Sequence, residues 1–92
     1  MKFIYPAVIE KIDENHYEGR FPDLEDCYSS GESLMDAVEK AREAATDWIT
    51  VELDDPEGKL PPVSDESDLE LKENEVVRNV LVNIRFMEGW DE

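Results

Sequence analysis

The side chains with chemistry to offer in this chain are chiefly carboxylates, because 25 Asp and Glu stand against 9 Lys and Arg, one histidine and one cysteine. Carboxylates on separate elements can hold the metal ions of phosphodiester hydrolysis when they aim at one point. Glu10 lies on an N-terminal apolar run and Glu39 and Glu43 on a helical stretch, but the last apolar run, Val76 to Phe86, contains no Asp or Glu. The set lacks a member, so no catalytic residue and no metal site is expected. Cys27 and His16 form the other conceivable pair. A lone cysteine in a small domain is more often a buried small hydrophobe than a nucleophile, and nothing around His16 has ligand spacing. Gly19, Gly31, Gly58 and Gly89 are scattered and form no phosphate-cradling loop, so no cofactor is expected either. The reading is a protein without enzymatic activity.

What the carboxylates can do together is set a field. A net charge of -16 repels phosphate backbones and attracts basic proteins, which argues against direct nucleic-acid binding and leaves two uses for the charge, a solubility device or an interface for a basic protein partner. The candidate partner-binding residues are the acids of the expected connections: Asp23, Glu25, Asp26, Asp54, Asp55, Asp65 and Glu66. No apolar run approaches the roughly 20 residues that span a bilayer, and the start has no signal-peptide pattern. With its single cysteine the chain fits a reducing cytoplasm.

These residues must be positioned by one helix. From Ser33 to Leu53 the residues Leu34, Val38, Ala41, Ala45, Trp48 and Ile49 recur at three- and four-residue spacing between charged neighbours, an amphipathic pattern with Ser33 as its N-cap. A single helix cannot bury its own stripe. Phe3 to Ile12 reads as a central strand, interrupted awkwardly by Pro6, which belongs near the strand start or at a bulge. Asp13 to His16 reads as a polar turn to Tyr17–Phe21, in which Asn15 is able to take a left-handed conformation, and Cys27 to Ser30 reads as a short third strand. Residues 52–75 hold ten acids against Lys59 and Lys72, with Pro56, Pro61 and Pro62, and read as an excursion over the surface. Val76 to Phe86 alternates as a strand, with Val76, Val80, Val82, Ile84 and Phe86 facing the helix and Asn79, Asn83 and Arg85 facing away. Of the tail only Trp90 is expected to be tied down.

The sum is a single α+β domain over 1–92, β-β-β-α-β, with strand order third, second, first, fourth. The helix should bury Leu34, Val38, Ala41, Ala45 and Trp48 against Val80, Val82, Ile84 and Val8. The last strand should run parallel to the first, through a right-handed helical crossover. Apolar residues on both faces of the first strand, under one helix, point to a homodimer or higher oligomer.

The segments Y-P-A-V-I-E-K (5 to 11), Y-E-G-R-F-P-D-L-E-D-C (17 to 27), G-E-S-L-M-D-A-V-E-K-A (31 to 41) and L-P-P-V-S (60 to 64) resemble the HicB antitoxin family over about two thirds of the chain. That resemblance implies a partial ribonuclease H-like fold without nuclease activity. It further implies an antitoxin of a type II toxin–antitoxin system, self-association, and a small basic HicA-type mRNA interferase as partner. The alternative is a solitary HicB-like interaction module without a toxin. Two departures stand out: Glu25-Asp26 replaces the usual Pro-Gly, which puts the turn there in question, and no separate DNA-binding domain is expected before Glu92.

Overall fold

Each strand and the helix form where the hydrophobic periodicity places them. The computed structural model describes residues 2–55 and 57–84. The order is β1 (Lys2–Asp13), β2 (His16–Arg20), β3 (Tyr28–Gly31), α1 (Leu34–Asp54), a single 3-10 turn at Glu66–Asp68, and β4 (Glu75–Asn83). The expectations for Arg85, Phe86 and Trp90 fall outside the described residues. The sheet has the expected order β3-β2-β1-β4.

Its last strand runs the other way from the expectation: β4 is antiparallel to β1, with Phe3 opposite Val82 and Ile9 opposite Val76. The physical reason is the acidic excursion. At about 1.5 Å per residue, the 21 residues of α1 carry the chain roughly 31 Å down the sheet, so a short connection would enter β4 parallel to β1. Residues 57–74 instead climb back along the sheet. Near the bottom Pro61 accepts a hydrogen bond from the Tyr5 hydroxyl at 2.7 Å, and near the top the Asn74 carbonyl accepts one from the Lys11 N–H at 2.9 Å. The excursion is a strap that reverses the sense of the final strand.

The core lies between α1 and one face of the sheet. Tyr5, Ala7 and Ile9 of β1 and Val80 and Val82 of β4 meet Ala37, Ala41, Ala45 and Ile49 of α1. The sunken line of the helix therefore runs at four-residue steps through three alanines, which let the backbone approach the sheet closely. Leu34, Val38 and Trp48, expected at the centre, are only half-buried and pack along its margins. Val8 is also buried, but on the face away from α1, because alternate residues of a strand point to opposite faces.

Local chemistry accounts for the entry to the helix. Ser33 takes extended angles, its hydroxyl accepts the Asp36 N–H at 3.1 Å, and the Asp36 carboxylate accepts the Glu32 N–H at 3.0 Å. Gly31 stands against this first turn so closely that an added Cβ would lie 2.5 Å from the Ala37 nitrogen.

Pro6 sits inside β1 rather than at its start, opposite Asn79 of β4. The Leu81 carbonyl turns outward to Arg42, and the Lys11 N–H reaches Asn74 on the β4 side. Even-numbered residues of β1 therefore aim their backbone toward β2, whose pairing begins only at Val8. The missing N–H of Pro6 costs no ladder bond. At the first hairpin the Asp13 carboxylate takes the Asn15 N–H at 2.8 Å, and Asn15 keeps a negative φ.

The positive φ falls on Asp26 instead, at 60°. Cys27 donates its N–H to the Leu24 carbonyl, so Glu25 and Asp26 are the central residues of a β-turn whose third position is left-handed, the position that glycine favours. The turn survives the loss of Pro-Gly at the cost of a strained aspartate. Asp26→Gly should accordingly raise stability by about 0.5–1 kcal/mol, read from denaturant midpoints; a loss of stability would mean that the Asp26 side chain holds the turn.

Candidate partner-binding surface

The three carboxylates weighed for hydrolysis do not converge. Glu10 pairs with Glu18 and Glu75 on the sheet face away from α1, whereas Glu39 and Glu43 lie on the exposed side of α1. Among the described residues no group of three His, Cys, Asp or Glu is placed to hold a metal ion. Cys27 is buried. Burial, and then the charge of Asp47, pushes its thiol up to about 11, which keeps it protonated and weakly nucleophilic. His16 is half-exposed beside Glu18, Nε2 to carboxylate 3.2 Å.

The acids of the connections, by contrast, are gathered at the end of the sheet where β2 passes to β3 and α1 finishes. The Trp48 indole donates to the Glu25 carbonyl at 2.9 Å and so fixes the Phe21–Cys27 loop against the helix. Asp23 accepts both the N–H (2.8 Å) and the hydroxyl of Ser64, which brings Asp65 alongside. Asp54 and Asp55 lie about two turns beyond Trp48, at the helix end. Glu25, Asp26, Asp54, Asp55 and Asp65 are all exposed, while Asp23 is half-buried and spends its oxygens on holding the strap. Glu66 opens the 3-10 turn that follows Asp65.

Asp47 and Glu43 were not among the partner-binding acids expected from the sequence. Both are exposed, about two and three turns before the helix end, and Asp47 lies near enough for its charge to act on Cys27. Their four-residue spacing was the available signal. Two features make this surface electrostatically expensive. Residues 43–58 contain six acids and no Lys or Arg, and neither does 21–39 contain a basic residue. Moreover Glu52, Asp54 and Asp55 crowd the C-terminal turn of α1, where the helix dipole disfavours anions and where no basic residue balances them. The basic residues of α1 are engaged elsewhere, Arg42 with Glu39 at 2.8 Å and Lys40 with Asp36 at 3.8 Å.

At the opposite end the charges are paired. Glu75, its side chain 2% exposed, accepts the Lys72 N–H at 2.9 Å and the Arg20 guanidinium at 2.9 Å, which reaches across β1 from β2. The Lys72 amide first, and Arg20 second, hold this carboxyl below the ordinary glutamate range against the opposing effect of burial. Unfolding restores the ordinary value of about 4.3, so the contribution is complete above that pH and is lost as pH falls through the lower folded value. Glu75→Gln should therefore cost stability at neutral pH, and the difference from the native protein should shrink on acidification below about pH 4. A difference in melting that stays constant from pH 7 to pH 3 would show that the Glu75 charge is not what stabilises.

A small, strongly acidic α+β domain with one helix on a four-stranded antiparallel sheet is what fold and surface define. The chain belongs to the HicB-like antitoxins of bacterial toxin–antitoxin systems, whose family model matches residues 5–88. Three solved structures share the fold. A toxin–antitoxin complex from Streptococcus pneumoniae aligns with a TM-score of 0.74 and 28% identity, over 90% of this chain and 70% of that one. The N-terminal domain of the Burkholderia pseudomallei antitoxin HicB gives 0.75 and 25%, over 89% of this chain and 100% of that one. A complex of HicA3 and HicB3 gives 0.67 and 30%, over 89% and 100%. Among curated proteins there is no match. Among the described residues no helix is long and apolar enough to cross a membrane.

Proposed function

We propose that this chain neutralises a small basic mRNA interferase of the HicA type by laying its acidic end on the cationic surface with which that toxin holds RNA. The observation that carries the reading is the uncompensated run of carboxylates at the end of α1, destabilising to the free chain and relieved by a basic partner. Asp54, Asp55, Asp47, Glu25, Asp26 and Asp65 supply the contacts, and Asp23 positions the loop and strap that present them. Opposite charge at this density speeds encounter and selects the partner, and it repels RNA, so the antitoxin competes with nucleic acid without binding it. The HicA3–HicB3 and pneumococcal complexes formed by proteins of this fold support a toxin as partner. The chain also associates with itself, because Ile4 and Leu81, paired across β1 and β4 on the face away from α1, are 52% and 43% exposed. A reducing cytoplasm, where such toxins meet RNA, is its compartment.

Co-expression with a small basic ribonuclease of the HicA type tests this. Growth should recover and a complex should co-purify that weakens as salt is raised. Failure of both would leave a solitary module without a toxin.

A further inference from the structure

The sheet has two edges, and they differ. β3 is only four residues long and lies against the start of α1, where the Ser29 hydroxyl donates to the Ala37 carbonyl. β4 is nine residues long, contains no proline, and among the described residues pairs with β1 alone. Its outward backbone groups belong to the odd-numbered residues, as the Leu81 carbonyl shows by meeting the Arg42 guanidinium at 3.2 Å. By the two-residue alternation Val77, Asn79 and Asn83 face outward too.

An edge of this length is a template for another strand unless it is blunted. Charge decides which strand. Two chains of net charge -16 repel over most of their surfaces, yet Val76 to Ile84 contains no acid and a single Arg78. A basic partner is drawn to the opposite character, the acidic end of the sheet, and gains nothing from this stretch. We infer that a second copy of this chain pairs antiparallel with β4 through a two-fold axis at Asn79, continuing the two sheets as one.

The register is self-complementary. A two-fold at Asn79 sets Val77 against Leu81 of the second copy, Val76 against Val82, Arg78 against Val80 and Glu75 against Asn83. Val77 meets Leu81 and Val76 meets Val82, and no carboxylate meets another. Asn79 of each copy exchanges N–H and carbonyl bonds with its counterpart, and Val77 does so with Leu81. The exposed contacts from Arg42 to the Leu81 carbonyl and from Arg78 to the Val77 carbonyl (3.0 Å) give way to strand N–H groups. Val76 and Leu81, now 38% and 43% exposed, are covered. This rests on the self-association proposed above and places the contact at the β4 edge, beside the face that carries Ile4 and Leu81.

Salt gives the pairing a signature of its own. Screening removes the repulsion between two acidic copies, so the homodimer tightens as salt rises, opposite in sign to the toxin complex. Sedimentation velocity of the full chain at tens of micromolar, at low and raised salt, reads this directly. Asn79→Pro removes an N–H that β1 does not use; it should leave the circular dichroism spectrum unchanged and weaken self-association about tenfold or more. In the native chain, amide exchange at Val77 and Asn79 should slow as protein concentration rises. A native monomer under all conditions overturns both this pairing and the self-association beneath it. A dimer that persists in Asn79→Pro overturns the β4 edge alone, as does protection of those amides only when the basic partner is added. If Asn79→Pro fails to fold, the concentration dependence of native amide exchange decides by itself.

Discussion

Replacing Ile49 by alanine is expected to lower the unfolding free energy by about 2–5 kcal/mol, the largest single-residue loss outside the strands. Ile49 is fully buried at the end of the alanine line, where α1 meets the sheet. Truncation removes transfer energy and leaves a cavity that the flanking Trp48 cannot fill, since its indole is held to the Glu25 carbonyl. Domains of this size are stable by only about 5–15 kcal/mol, so the variant approaches its threshold at physiological temperature. Trp48→Ala, by contrast, should cost less than Ile49→Ala, because Trp48 is half-buried. Urea melts of both variants check the ranking; the reverse order would place the core centre at Trp48.

The second large effect joins stability to binding with opposite signs. Neutralising Glu25, Asp26, Asp47, Asp54 and Asp55 to their amides should slow association with a basic ribonuclease about tenfold to a hundredfold at low salt, with little difference at high salt. The same change should make the free chain more stable, because each carboxylate removed from the last helical turn relieves about 0.3–1 kcal/mol of unfavourable dipole interaction. Asn tolerates the left-handed position 26 as Asp does. Stopped-flow association and thermal melts on one sample read both signs. Slower binding accompanied by a fall in melting temperature would assign these acids a structural role instead.

Strand positions, helix span and helix cap were legible because each rests on local chemistry: period two, period 3.6, and Ser33 ahead of Asp36. The direction of β4 was not. It depends on where residues 57–74 travel, and that is fixed by long-range contacts, Tyr5 with Pro61 and Asp23 with Ser64, which no periodicity encodes. The deep line of α1 was misjudged for a related reason: apolar size suggested Leu34 and Trp48, while close helix–sheet approach favours the small Ala37, Ala41 and Ala45. Of the acidic surface, charge singled out the loop and strap residues as candidates, but the part played by Asp23 as a brace and the nearness of Asp47 to Cys27 are properties of the folded chain. The turn at Glu25-Asp26 kept its geometry because aspartate, like asparagine, enters the left-handed region at modest cost.

The central claim is that the acidic end occupies the toxin's RNA-binding surface. Its most direct measurement is RNA cleavage by the purified basic partner, titrated with this chain and with the five-site amide variant at low and high salt. Cleavage should fall to nothing at a fixed stoichiometric ratio with the native chain, and the variant should require a large excess at low salt. Full, equal inhibition by both proteins, or none by either, would contradict the account.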